Sequence, residues 1–117
     1  MNPPPDFLDY LEDILQAAQK AIAFVQGLNK DSFTSDEKTV FAVTRALEVL
    51  GEATKRIPQS FRDQHPEVPW RSMAGIRDKL IHDYSSVNTE VLWNTVTDDL
   101  PPLLPKIQRI LDELFQP

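Results

Sequence analysis

The stretch Asp6-Phe7-Leu8-Asp9-Tyr10-Leu11-Glu12-Asp13-Ile14-Leu15-Gln16-Ala17-Ala18-Gln19-Lys20-Ala21-Ile22-Ala23-Phe24-Val25-Gln26 decides the fold class. Phe7, Leu11, Ile14 (with Leu15), Ala18, Ile22 and Val25 recur at three- and four-residue steps, the spacing that collects on one face of an α-helix. Asp9, Glu12 and Asp13 fall early, where the positive end of the helix dipole favours carboxylates. Gly27 stands where such a helix, about five turns long, would stop.

Three further helical stripes follow. Thr34 and Glu37 have capping-box spacing and predict a helix start, from which Val40, Val43, Leu47, Leu50 and Ile57 form the second stripe. Pro58 ends it, because a proline disfavours helix at the residue before it, and residues 59–64 are expected to add a short extra turn. His65-Pro66-Glu67-Val68-Pro69 is a connector. Residues 70–84 read as a third helix with Met73, Ile76, Leu80 and Ile81 inward. Asn88 or Thr89 caps a fourth, which runs through Val91, Leu92, Val96 and Leu100 to Leu114 and Phe115. Pro101, Pro102 and Pro105 predict a kink or break in it. No strand alternation and no internal repeat compete with this pattern. The expectation is an all-α protein, one antiparallel four-helix bundle over residues 1–117.

Composition narrows the chemistry. With 117 residues, 41% of them hydrophobic and 26% charged, the chain suits one domain with one core. Three glycines argue against a glycine-rich phosphate loop. The lack of cysteine excludes disulfides, thiolate zinc sites and cysteine nucleophiles, and two histidines leave little for a transition metal. No metal and no cofactor are expected. No apolar run approaches the roughly 18 residues that span a bilayer, and Met1 to Pro5 carries no basic charge, unlike a signal peptide. A cytoplasmic location without membrane contact is expected. The net charge of −6 gives no general attraction to polyanions, so contact with RNA would have to be local. Residues 45–84 hold seven basic against six acidic side chains, a modest basic zone on an acidic body.

The end of the third stripe is the most informative part: Gly75-Ile76-Arg77-Asp78-Lys79-Leu80-Ile81-His82-Asp83-Tyr84. On one straight helix Arg77 and Tyr84 would project within about 20° of each other, close to Met73, Leu80 and Ile81. Arg77 would then lie on the apolar stripe, where an unpaired guanidinium is costly and needs a carboxylate, a phosphate or an interface. His82 would fall about 140° away, with Asp78 one turn before it and able to orient the imidazole. A joint Arg77–His82 site requires either a distortion at the helix end or a second copy of the helix, whose approach Gly75 would permit. His65, in the proline-rich connector, reads as structural.

Arg77-x4-His82-x-Tyr84 resembles the R-x4-H-x-Y pattern of the HEPN superfamily, in particular its HepT-like ribonuclease toxins, which are paired with a minimal nucleotidyltransferase antitoxin. The surrounding Trp70-Arg71-Ser72-Met73-Ala74-Gly75-Ile76-Arg77, the Leu80-Ile81-His82 step, Val91-Leu92-Trp93, Leu100-Pro101 and the upstream Arg45-Ala46-Leu47-Glu48-Val49-Leu50-Gly51-Glu52-Ala53 are similar to that branch as well. The resemblance implies a homodimer whose composite cleft cleaves RNA without metal. It implies Arg77 and His82 as the catalytic pair, Tyr84 as a tyrosine that the cognate nucleotidyltransferase antitoxin modifies with AMP, and Asp78 and Lys79 as supporting residues. Asp78 stands where a polar residue is common in relatives. The residues by themselves also admit a non-catalytic nucleotide-binding module or a helical interaction module.

Overall fold

The protein is described by a computed structural model over residues 5–83 and 86–115, with backbone alone for His82 and Asp83. Helix α1, Leu8–Phe24, buries Leu11, Ile14 and Ala18 along the face that the periodicity predicts. It stops as expected: Gly27 takes φ 82°, a left-handed conformation that L side chains rarely adopt.

The second helix starts differently from the expected Thr34–Glu37 box. A short helix α2, Lys30–Thr34, comes first, and its box is built from Asn29 and Ser32. The Ser32 amide donates to Asn29 Oδ1 at 2.8 Å and the Asn29 amide to Ser32 Oγ at 2.9 Å. Thr34 ends α2, its hydroxyl donating back to the Lys30 carbonyl. Asp36 then caps helix α3, Glu37–Lys55, accepting from the Thr39 amide at 3.2 Å and the Thr39 hydroxyl at 2.7 Å. Burial of Phe33 explains the shift. Its side chain is fully enclosed and lies 5.3 Å from the Trp93 ring, which commits residues 30–34 to their own turn and leaves the charged acceptor of Asp36 to start α3.

Helix α4, Gln59–Asp63, is the short extra turn. Its Arg62 reaches back to the end of α3, donating from Nε to the Ile57 carbonyl at 3.0 Å and from Nη2 to the Thr54 carbonyl at 2.7 Å. These carbonyls lie at or just past the helix end, where the regular helical bonding has run out; the Thr54 carbonyl also accepts from the Ile57 amide at 3.1 Å.

The expected third helix is two short ones, α5 (Trp70–Ala74) and α6 (Ile76–Leu80), followed by a hairpin of β1 (Ile81–Asp83) and β2 (Ser86–Val87). The strands are antiparallel, Ile81 opposite Val87 and Asp83 opposite Ser86, with an irregular register between. Asn88 caps α7 (Thr89–Asn94) by accepting from the Val91 amide at 3.1 Å. Winding continues through a π segment, Thr95–Asp99, into α8, Leu100–Phe115. The irregularity expected at Pro101 and Pro102 thus sits just before them, whereas Pro105 lies inside α8, which is not broken there. The Leu100 amide bonds the Thr95 carbonyl, five residues back, and directly after it come Pro101 and Pro102, which have no N–H to donate back into the winding.

The all-α class holds, with the small hairpin as the departure from a purely helical chain. Helix α1 packs on α3 and α8, α3 on α5 and α6, and α6 on α7, so the α5–α6 pair fills the third position of the bundle. Leu11, Ile14, Leu47, Leu50, Leu80, Leu92, Ile107 and Ile110 form its centre, each at most 2% exposed. Among the described residues, no helix is long and apolar enough to cross a membrane.

Candidate active site

The motif occupies the junction from α5 to β2, and its position is fixed from both sides. Trp70 is buried and its Nε1 donates to the His65 carbonyl at 2.9 Å, anchoring the start of α5. His65 is a structural residue of this corner, its ring 4.6 Å from Phe61 and its Nδ1 3.4 Å from Glu67 Oε1. On the α3 side the junction lies against Gly51. A Cβ there would meet Ile76 Cγ2 at 3.0 Å and the Met73 carbonyl oxygen at 3.3 Å, so a side chain at this position would push the α5–α6 turn away from α3 by a few tenths of an ångström. The residue that permits close approach within the chain is therefore Gly51. A Cβ on Gly75 would meet only the Arg71 carbonyl, at an ordinary 3.5 Å.

Interruption at Gly75 changes the orientation of everything after it. Helix α6 turns Ile76 and Leu80 inward, 6% and 1% exposed, and leaves Arg77, Asp78 and Lys79 on the surface. The expectation that Arg77 shares the apolar stripe is overturned. That stripe requires a straight helix over residues 70–84, but α5 and α6 are separate helices and winding stops at Leu80. Ile81 is extended, φ −104° and ψ 116°. Arg77 and Lys79 make no ion pair with any described residue, so Arg77 has no salt-bridge partner on a neighbouring helix.

Leu80 turns its carbonyl to the Asn88 amide, 2.8 Å away, which closes the hairpin where another helical turn would have continued. The helix ends before the histidine: Arg77 lies on α6, and the backbone of His82 lies in β1. The angle of about 140° for one continuous helix does not apply. The proposed orienting of the His82 imidazole by Asp78 lies outside the described residues, since the His82 side chain does. Tyr84, with its expected alignment to Arg77, lies outside them too.

Two features of this region were not singled out from the sequence. Gly51 carried a usable signal, because a mid-helix glycine is less favourable than alanine by about 1 kcal/mol and so asks for a packing reason. The other is a cleft of about 340 Å³ between α5–α6 and the π segment, rimmed by Lys79, Asp98 and Asp99. Among the described residues, no group of three or more histidines and carboxylates could hold a metal ion.

With this geometry in view, the comparisons with known proteins are specific. The family described as "Ribonuclease HepT-like" matches residues 14–110, which includes the junction and all of α3. A protein of Thermococcus cleftensis named "Probable ribonuclease HepT" is 50% identical over 102 residues, covering 87% of this chain and 93% of that relative. A "Putative RNase" of Caldanaerobacter subterraneus subsp. tengcongensis is 41% identical over 104 residues, 89% of this chain and 93% of the relative. Another "Putative RNase", from Methanocaldococcus jannaschii, is 40% identical over 112 residues, 96% of this chain and 93% of the relative. No solved structure matches the chain.

Proposed function

This chain belongs to the ribonuclease HepT-like family, and on that premise we propose that it is a metal-independent endoribonuclease toxin. In this reading the active form is a homodimer with a composite cleft, Arg77 and His82 cleave RNA, and a cognate nucleotidyltransferase antitoxin neutralises the protein by placing AMP on Tyr84. The observation that carries the reading is the state of Arg77. It is exposed and makes no ion pair with a described residue, five positions before a histidine whose backbone lies in the next element.

The chemistry suits these groups. RNA brings its own nucleophile, the 2′-hydroxyl beside the scissile phosphate. A histidine near its ordinary pKa of about 6.5 can take that proton at neutral pH. The oxygen attacks phosphorus, the bond to the 5′-oxygen breaks, and a second, protonated histidine returns a proton to the leaving oxygen. One chain offers one motif histidine, His65 being committed to the α4–α5 corner, so two symmetry-related copies of His82 would divide the acid and base roles. Arg77 holds the phosphate through paired N–H donors and stabilises charge that grows on its oxygens. AMP on Tyr84 would bring a competing phosphate to the same arginine. Contact with RNA stays local, because a chain of net charge −6 lacks a general electrostatic pull on it.

The test is incubation of the purified protein with tRNA and bulk RNA in EDTA, beside His82→Ala. Products ending in 2′,3′-cyclic phosphate that vanish in the variant support the reading. General acid–base assistance is worth about 10²–10⁴-fold, so a loss below tenfold means that His82 is the wrong residue. Saturable nucleotide binding without any cleavage would replace this reading with a binding module.

A further inference from the structure

The cleft beside α6 has a composition that the cleavage chemistry does not use. Its floor is apolar, with Met73, Ile76 and Leu100 only 5%, 6% and 3% exposed. Its rim holds Lys79 from α6 on one side and Asp98 and Asp99 from the π segment on the other. All three side chains are exposed, yet the lysine pairs with neither carboxylate. Opposite charges that line one cleft and do not close on each other leave room for a guest between them. The volume, about 340 Å³, lies within the range of small-ligand sites, about 300–1,000 Å³, which are likewise apolar with a few placed polar groups.

We propose that this cleft receives a guanine base of the RNA substrate. A carboxylate accepts hydrogen bonds and donates none, while an ammonium only donates. Guanine alone of the four RNA bases presents two adjacent donors, N1–H and the N2 amino group, for one carboxylate to accept together. Its O6 on the adjacent edge accepts from a lysine. Adenine would turn its N1 lone pair toward the carboxylate, cytosine its N3 lone pair, and uracil offers a single N–H between two acceptors. The apolar floor supplies the surface for a flat ring. Carboxylates on an RNA-facing surface repel phosphate, so their presence on the rim favours a site for a base over one for the backbone. The π segment, a type of helix irregularity frequent at functional sites, brings Asp98 and Asp99 to this rim.

Lys79 and Arg77 leave α6 about 160° apart on a helical wheel, so the cleft and the phosphate-holding arginine lie on opposite flanks of that helix. The recognised base is therefore separated from the scissile phosphate by roughly the width of a helix, about 10 Å. The guanine therefore specifies a fixed offset from the cut along the strand.

This inference rests on the ribonuclease reading for its ligand, and its test separates the two. Binding is measured first, with 2′-deoxy hexanucleotides that lack the attacking hydroxyl and differ at one position: guanine, hypoxanthine (which lacks the N2 amino group) or adenine. Guanine should bind at least tenfold more tightly than the other two, and Asp98→Asn/Asp99→Asn, checked for helix content by circular dichroism, should erase that preference. Cleavage of RNA carrying single guanosine-to-inosine replacements should then fall at least tenfold for one offset only. Equal binding of all three oligomers, or a guanine preference that survives the double variant, overturns the proposal. Cleavage without guanine preference leaves the ribonuclease reading standing and removes this one. Guanine-selective binding by a protein that cleaves no RNA keeps the cleft and removes the ribonuclease reading.

Discussion

Gly51→Ala tests the contact that positions the motif, and the structure sets both its direction and its size. Alanine in a helix interior is more favourable than glycine by about 1 kcal/mol, so on propensity alone the substitution stabilises α3. Against that, the new Cβ would meet Ile76 Cγ2 at 3.0 Å and the Met73 carbonyl at 3.3 Å. Neither neighbour can move away cheaply. Ile76 is β-branched and 6% exposed, and such a side chain has one strongly preferred rotamer in a helix, while the Met73 oxygen is backbone. Inserting a carbon into a packed site costs about 1–3 kcal/mol, and the upper part of that range applies here. The net expectation is a destabilisation of about 1–2 kcal/mol, read as a fall of about 0.5–1 M in the urea midpoint with an unchanged slope.

A double-mutant cycle isolates the cause. Ile76→Ala removes Cγ2 and opens a cavity beside the residue that the Gly51→Ala methyl would fill. The double variant should be at least about 1 kcal/mol more stable than the sum of the single changes, well above the 0.3–0.5 kcal/mol scatter of independent sites. If Gly51→Ala raises stability by the full propensity gain, or if the two changes simply add, α3 does not hold the α5–α6 turn as described.

Two other outcomes follow from the structure and a third from the proposed function. Arg62→Ala should lower stability by about 1.5–3 kcal/mol, since a charged donor to two backbone carbonyls is lost, and Arg62→Lys should restore less than half in the same urea titration, because an ammonium cannot form the fork. Hydrogen bonds from the Thr39 hydroxyl and amide hold the Asp36 carboxyl below its ordinary range. Its contribution to stability is present above the unfolded carboxylate pKa and is lost as pH falls through the depressed folded value. Wild type should therefore lose more melting temperature between pH 5 and pH 2 than Asp36→Asn; equal losses would refute the assignment. If the proposed function holds, co-expression with a cognate nucleotidyltransferase should add AMP mass on Tyr84, seen by peptide mass spectrometry, and Tyr84→Phe should escape neutralisation; modification elsewhere with full neutralisation of the variant would move the acceptor.

Long apolar periodicity was the readable part of this sequence. The stripes of α1 and α3 carry enough three- and four-step repeats to fix both the element and its buried face, and Gly27, Pro58 and Asn88 mark boundaries that the structure also has. Caps were less legible, because Thr34 and Asp36 both offer oxygen acceptors two residues apart. What decides between them is Phe33, whose place against Trp93 is a contact over sixty positions along the chain that no local pattern encodes.

The junction that carries Arg77 departs from its local pattern for a related reason. Residues 70–84 contain inward-facing apolar residues at helical spacing, but α5 and α6 have five residues each, far short of the roughly 12–15 at which isolated helices become even marginally stable. Their winding is imposed by tertiary contacts at Gly51, Ile76 and Leu80, and it ends where the Leu80 carbonyl finds the Asn88 amide, 2.8 Å away. A helical wheel assumes that each residue inherits its direction from the one before. Here the direction of Arg77 comes from α3, and the path of the chain at His82 comes from the hairpin. The spacing of arginine and histidine therefore marks where two independently anchored elements meet, and substitutions at Gly51 or Asn88, outside the motif, should change the relation between its residues as strongly as substitutions within it.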